Sequence, residues 1–342
     1  MFAALLEKLH RRQDLAIDEA AAAMGEIMEG RAQPAQIAGF LVALGMKGER
    51  PAEIVGLART MRERATKLSR QYAPVFDTCG TGGDRAHTFN VSTVAALVVA
   101  ACGVRVAKHG NRSVSSRCGS ADLFEALGVN ITATPDVVER CLEDAGIAFF
   151  FAPTFHPSMR HAAAARKELG IRTAFNLLGP LTNPAGAARQ LVGVPRPELT
   201  ELVARSLALL GSERAWVVHG ADGLDEISTT GYTKVSECRG GAVNTFYIHP
   251  SDFQLAKAAP EALKGGDAAE NALIARRILD GDRGAPRDIV LLNAGVSLLV
   301  AGTATSVPDG IARAAAALDD GGAARVLARL VSASSQSTSA SI

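Results

Sequence analysis

The stretch VFDTCGTGGDRAHTFNVSTVAALVVAACGVRVA, residues 75–107, decides the fold. It opens with a short apolar run at Val75–Phe76 and breaks at Gly80, Gly82 and Gly83. It resumes as a helix over Ser92–Cys102 and closes on a second apolar run at Val104–Ala107. Parallel strands need a long crossover between them, and a strand–turn–helix–strand unit supplies one. The same rhythm continues downstream. Strands are expected at Ile147–Ala152, Leu191–Val194 and Ala215–His219, with helices at Ala121–Leu127, Asp136–Ala145 and Glu198–Leu210. This alternation predicts an α/β class with a mostly parallel central sheet covered on both faces. Ligands of such sheets sit beyond the carboxyl ends of the strands.

Upstream the pattern differs. Residues 1–70 carry no strand signal. Ile37, Phe40, Leu41 and Leu44 follow helical spacing after Pro34, and Ile54, Leu57 and Met61 repeat it after Pro51, a residue suited to a first helical turn. A small all-helical domain over 1–70 is expected, followed by the α/β domain over 71–342. The Ser- and Thr-rich end, 331–342, reads as a disordered tail. Asn176–Pro184 reads as a turn-rich crossing that hinges the two domains.

Composition excludes several function classes. Lys plus Arg number 36 against 35 Asp plus Glu, so no global field draws the chain to nucleic acid or to a membrane surface. Any anion site must be local. The longest apolar stretch, Val91–Val104, is interrupted by Ser92, Thr93 and Gly103 and is too short for a membrane span. MFAALLEKLHRRQD does not read as a signal peptide. The five cysteines are scattered and odd in number, which suits reduced thiols in a cytoplasm.

Three constellations carry chemistry. Asp77–Asp84, DTCGTGGD, places three glycines where a turn can aim its N–H groups inward as a nest for a phosphate. It has neither dinucleotide-fingerprint spacing nor the Gly-Lys-Ser/Thr of a P-loop. NVST, Asn90–Thr93, then opens a helix whose N-terminus favours an anion. Lys108–Ser116, KHGNRSVSS, packs two cations, three hydroxyls, an amide and an imidazole beyond a strand, a donor set that an anionic ligand satisfies. Asp222–Glu226, DGLDE, offers loop carboxylates suited to Mg²⁺, which takes a few carboxylate oxygens plus phosphates and water. Arg160 and Arg166 are further candidates for holding a carboxylate.

These motifs, with FHPSMRHAAAARKELGIRTAFNLLGPLTNP at 155–184 and the late GGDAAENALIARRILDG and RDIVLLNA, closely resemble anthranilate phosphoribosyltransferases. KHGNRSVSS together with FNLLGPLTNP is highly specific; GTGGD is shared more widely. The resemblance implies a nucleoside phosphorylase/phosphoribosyltransferase-like fold, with part of the helical domain contributed by about 164–186. It implies a homodimer and the joining of 5-phosphoribosyl-1-pyrophosphate to anthranilate in tryptophan biosynthesis. Carried over by motif, Gly80, Gly83, Asp84, Thr88, Asn90, Val91, Ser92 and Thr93 would bind the phosphoribosyl donor. Lys108, His109, Gly110, Asn111, Arg112, Ser113, Val114, Ser115, Ser116 and Ser120 would bind it from the other side. Gly80, His109, Asn111 and Arg166 would receive anthranilate. Two Mg²⁺ ions would be held by Ser92 with Glu226, and by Asp225 with Glu226. No general acid or base is assigned. The chain departs from the family pattern at Arg85 and His87, after GTGGD, and at Tyr232. The rival readings are a nucleoside phosphorylase-like pentosyltransferase and a non-catalytic nucleic-acid-binding relative; the balanced charge disfavours the second.

Overall fold

A computed structural model describes residues 1–84, 86–113 and 117–336. Arg85, Val114, Ser115, Ser116 and 337–342 lie outside the described residues. Four helices come first: α1 (Phe2–His10), α2 (Ile17–Met28), α3 (Pro34–Lys47) and α4 (Pro51–Glu63). Pro34 and Pro51 each occupy a first turn, where a missing N–H costs nothing. A Cβ at Gly56 would lie 2.2 Å from the Ile17 carbonyl oxygen, so glycine is what lets α4 pack against α2. Glu53, fully buried, accepts from the N–H groups of Leu15 and Arg50 and pairs with Lys47, which ties α4 to the loop ahead of α2.

The α/β part then runs β1 (Phe76–Gly80), α5 (Val91–Ala101), β2 (Val106–Gly110), α6 (Ser120–Ala126), α7 (Pro135–Asp144) and β3 (Ile147–Phe151). After β3 the chain returns to the helical lobe through α8 (Ala152–Phe155), α9 (Arg160–Leu169) and α10 (Ala174–Leu181). It comes back as β4 (Arg189–Gly193), α11 (Leu199–Leu209), β5 (Arg214–Gly220), β6 (Thr233–Arg239) and β7 (Ala242–Ile248). Four helices close the chain: α12 (Ala268–Leu279), α13 (Ala285–Ala301), α14 (Val307–Asp319) and α15 (Gly322–Ser335).

The sheet order is β3-β2-β1-β4-β5-β6-β7. The first five strands are parallel and β6 and β7 antiparallel. The order reverses between β1 and β4, the switch point at which open sheets hold ligands. Alternate side chains divide the sheet between two cores. Leu191, Trp216 and Val218 join α5, α13 and α15 on one face, whereas Val192, Ala215 and Val217 join α11, α4, α9 and α10 on the other. The second core therefore welds the helical lobe to the sheet. From Val94 to Ala100 the run is apolar on every side because that part of α5 is buried on every side.

Several boundaries differ from the sequence reading, each for a physical reason. β1 and β2 start later than expected and extend through polar residues, so Asp77, Lys108 and His109 lie on strands and not in the loops beyond them. They are tolerated there because each has a partner: Asp77 accepts from Asn183 Nδ2 at 2.8 Å and from the His109 N–H at 3.2 Å. The expected hinge at Asn176–Pro184 is largely helix, α10, with Pro180 inside its last turn. The expected tail is helical as far as Ser335, because Leu330, Ala333 and Ser334 are buried against the α/β core and Ser334 Oγ accepts from Asn130 N at 3.0 Å. The β6–β7 hairpin is absent from the sequence reading. Its signal is Gly240-Gly241, both at positive φ, between two strands, the turn that two-residue hairpins favour.

Replacing Asn183 by Leu should lower stability by about 1–3 kcal/mol, because the buried Asp77 carboxylate loses a donor. Urea unfolding of the two proteins measures it, and equal midpoints would count against Asn183 as the group that satisfies Asp77.

Candidate active site

The turn after β1 is built by glycine. Gly82 and Gly83 adopt φ of +65° and +82°, conformations that other residues rarely take. The loop after β5 folds down onto this turn. Asp225 Oδ2 accepts from Gly82 N at 2.9 Å, and Glu226 Oε1 accepts from Ser92 N, in the first turn of α5, at 3.0 Å. A Cβ on Gly80 would lie 2.4 Å from Asp225 Oδ2, and one on Gly193 only 1.5 Å from the Asp225 carbonyl oxygen. Glycines ending β1 and β4 thus admit the acidic loop to the switch point. Asn293 of α13 pins the loop from behind, its amide accepting from Ile227 N at 3.0 Å and donating to Ile227 O at 2.9 Å. Asp222 bonds the hydroxyls of Ser228 and Thr230 and shapes the loop, while remaining outside the cleft.

The two carboxylates are half-buried and crowded by other acids, with Arg172 beside Asp225 and Lys108 beside Glu226 as neighbouring cations. Burial first, and then Asp84 beside it, pushes the Asp225 carboxyl up to about 7. Burial and the neighbouring Asp225 push Glu226 up to about 8. Hard oxygen donors in that condition fit a divalent cation of the Mg²⁺ kind. Among the described residues no group of three or more His, Cys, Asp and Glu side chains converges as a preformed metal cage.

From the opposite side, β2 delivers Lys108 and His109. Lys108, 1% exposed, reaches back to the Thr78 carbonyl at 2.5 Å, and burial lowers its pKa. His109 and His156 face each other with ring centroids 5.2 Å apart. His109 Nδ1 lies 3.0 Å from Gly179 O, and His156 Nε2 lies 3.0 Å from Thr182 O. A carbonyl can only accept, so each of those nitrogens carries the proton. Burial holds the rings neutral, at about 3 for His109 and about 4 for His156.

The remaining sequence candidates sort by geometry. Gly80, Gly83, Asp84, Thr88, Asn90, Ser92, Thr93, Lys108, His109, Gly110, Asn111, Ser113, Ser120, Arg166, Asp225 and Glu226 all line one cleft of about 640 Å³ between the lobes. Val91 is buried behind it, with 1% exposure. Arg112 reaches the cleft, but its guanidinium is paired with Asp122 at 2.9 Å and Glu125 at 2.7 Å. Asn90 is held on both sides, donating to Cys118 O at 3.0 Å and accepting from Asn271 Nδ2 at 2.9 Å. Arg166 stacks 5.1 Å from the Phe175 ring and, among the described residues, pairs with no carboxylate. The buried hydroxyls of Thr81 and Thr93 and Nε2 of His109 have no hydrogen-bond partner among the described residues, as expected of groups that await a polar ligand.

Sequence reasoning missed Arg172, which crosses from the α9–α10 connection to the glycine turn and donates to Thr81 O at 3.1 Å. A Cβ at Gly83 would fall 1.6 Å from its Nη1, so Gly83 makes room for the guanidinium. His156, Asn271 and Asn293 were also unassigned. All four stand inside the motif runs GIRT, FHPS, GGDAAENA and RDIVLLNA, but their spacing alone gives no role.

The neutral imidazoles couple stability to pH. In the unfolded chain each takes a proton near pH 6.5, and in the folded chain only near 3 to 4. Their contribution is therefore complete above about pH 6.5 and is lost as pH falls toward 4. A His109→Gln, His156→Gln double variant should flatten the decline by about 1–2 kcal/mol per pH unit, measured by urea unfolding between about pH 7 and about pH 5. Parallel declines in variant and parent would mean the rings are not held neutral.

Comparisons with known proteins agree with this architecture. Residues 3–65 match the helical bundle domain of the glycosyl transferase family, and residues 72–324 match its a/b domain. The chain is 55% identical over 331 residues to the anthranilate phosphoribosyltransferase of Moorella thermoacetica, with 97% of this chain and 98% of the relative covered. It is 53% identical to that of Syntrophobacter fumaroxidans, with 95% and 97% covered. The crystal structure of the Thermus thermophilus enzyme superposes with a TM-score of 0.92 at 46% identity, covering 97% of this chain and 99% of that one. The Saccharomyces cerevisiae enzyme in complex with phosphoribosyl pyrophosphate and Mg superposes with a TM-score of 0.89 at 28% identity, 98% of each chain being covered. The same yeast enzyme is also similar in its complex with 4-fluoroanthranilate, at 27% identity, a TM-score of 0.86 and coverage of 98% of this chain and 99% of that one. On fold, coverage and identity together, the chain belongs to the anthranilate phosphoribosyltransferase family.

Proposed function

We propose that this chain transfers the phosphoribosyl group of 5-phosphoribosyl-1-pyrophosphate to anthranilate, with Mg²⁺, inside the cleft between its lobes. The observation that carries the reading is the pair of half-buried carboxylates, Asp225 resting on the glycine turn after β1 and Glu226 on the first turn of α5. Anion-binding N–H groups and metal-binding oxygens occur together there, which is what a magnesium diphosphate requires. Two further observations support it. Arg166 is a partly buried cation available to a carboxylate, and the yeast relative's complexes contain the donor with Mg in one case and 4-fluoroanthranilate in another.

The aryl amine of anthranilate is neutral at pH 7 and attacks without prior deprotonation. Its lone pair forms the C–N bond as the C–O bond to pyrophosphate breaks, through a ribo-oxocarbenium-like state. The nitrogen then sheds a proton to the departing pyrophosphate, which is far more basic than an arylamine. The demanding part is the charge that accumulates on the leaving group. Mg²⁺ bound through Asp225, Glu226 and Ser92 would neutralise that charge and orient the diphosphate. The hydroxyls of Thr81 and Thr93, which have no hydrogen-bond partner among the described residues, would hold phosphate oxygens together with the glycine-turn N–H groups that Asp225 does not take. Lys108, bonded to the Thr78 carbonyl and near both carboxylates, would add its positive charge on that side of the leaving group. Arg166 would take the anthranilate carboxylate, with Asn111 and Gly80 lining the same cleft. Holding both partners in register supplies much of the remaining acceleration.

The test is loss of anthranilate fluorescence in the presence of the phosphoribosyl donor and Mg²⁺. An Asp225→Asn, Glu226→Gln double variant should lose activity by about 10³-fold or more, as expected when charge stabilisation at a leaving group is removed. A near-normal rate would sink the metal assignment.

A further inference from the structure

The carboxyl end of α10 is held in an unusual way. A helix leaves its last four carbonyls without partners inside the helix. Here Gly179, Pro180, Leu181 and Thr182 each receive a side chain from a different part of the chain. His109 on β2 reaches Gly179 O at 3.0 Å, and Gln190 on β4 reaches Pro180 O at 2.7 Å. Arg62 on α4 reaches Leu181 O at 2.6 Å, and His156 after α8 reaches Thr182 O at 3.0 Å. Gly179, Pro180, Thr182 and both imidazoles line the cleft, whereas Gln190 and Arg62 stand behind its wall.

Neither of the two rear groups makes sense as packing alone. Gln190 is fully buried on a strand, and its amide oxygen has no partner among the described residues. A buried unsatisfied acceptor costs about 1–3 kcal/mol, and leucine would fill similar space without that cost. What the amide adds is the bond to Pro180. Arg62 is partly buried and, among the described residues, has no carboxylate partner; besides Leu181 O its guanidinium reaches Leu210 O at 3.4 Å. It thus sits at the negative carbonyl ends of α10 and α11 together. Pro180 removes one N–H from the last turn of α10, so that turn is soft unless tied from outside.

We propose that Gln190 and Arg62 are positioning residues for the aromatic acceptor. By fixing the carbonyls of Pro180 and Leu181 they hold the wall against which the ring lies, together with the two imidazoles bonded to the flanking carbonyls. This rests on the reading of the cleft as the anthranilate site. It adds that the precision of that site is set by side chains that never touch the substrate.

Steady-state kinetics of Gln190→Leu, Arg62→Met and Arg62→Lys test it. Gln190→Leu and Arg62→Met should raise KM for anthranilate about tenfold, since small misplacements of a bound partner are costly, while KM for the phosphoribosyl donor stays within about twofold. Arg62→Lys, which keeps a donor and a charge, should restore most of the affinity. An unchanged anthranilate KM in Gln190→Leu, or equal rises in both KM values, overturns the proposal. Histidine nitrogen NMR gives a readout independent of turnover. In the parent, His109 should carry its proton on Nδ1 and His156 on Nε2; in Gln190→Leu those signals should shift or broaden. Unchanged imidazole signals in Gln190→Leu also overturn it. A parent protein that consumes no anthranilate fails the functional reading, and the NMR comparison then decides the clamp by itself.

Discussion

The backbone of Asp225 rests directly on the end of β4, and the site follows from that contact. Any side chain at Gly193 would occupy the place of the Asp225 carbonyl. Without the approach it allows, Asp225 could not reach the N–H of Gly82, nor Glu226 the N–H of Ser92. The switch point of the sheet provides the crevice, and the missing Cβ atoms at Gly80 and Gly193 provide the clearance. Asn293 and Asp222 then give the loop one shape by bonding the Ile227 backbone and the hydroxyls of Ser228 and Thr230.

The electrostatics follow the same logic. The chain is close to neutral overall, so its charges act locally. Desolvation and neighbouring acids push the Asp225 and Glu226 carboxyls up, and burial pushes the Lys108 ammonium down. Such an arrangement is costly by itself, and the binding of a cation together with an anion proposed above would offset that cost. Two neutral imidazoles finish the floor of the cleft, contributing shape and directed lone pairs without charge.

Much of this was legible in the sequence, for identifiable reasons. Periodicity marked the five parallel strands and the helical start, because buried parallel strands and amphipathic helices leave strong apolar patterns. Glycine, hydroxyl and acid clusters marked the three loops that meet at the cleft, because such clusters are local in sequence. The failures were also physical. The polar ends of β1 and β2 looked like loop because Asp77 and Lys108 are satisfied by partners far along the chain, Asn183 and Thr78 among them. Pro180 looked like a breaker because the donors that hold its turn come from four other segments. Arg172 was invisible because nothing in its neighbourhood in sequence records that Gly83 lies beneath it in space.

The route of the chain through α8, α9 and α10 has a mechanical consequence. The helical lobe, already welded to the sheet by the second core, is sewn to it again where β2 and β4 grip the end of α10 while α4 grips it from its own side. The end of the cleft lined by the two imidazoles is therefore its braced end. At the glycine turn the bridge is lighter, carried by Arg172 reaching over from the α9–α10 connection to Thr81 O.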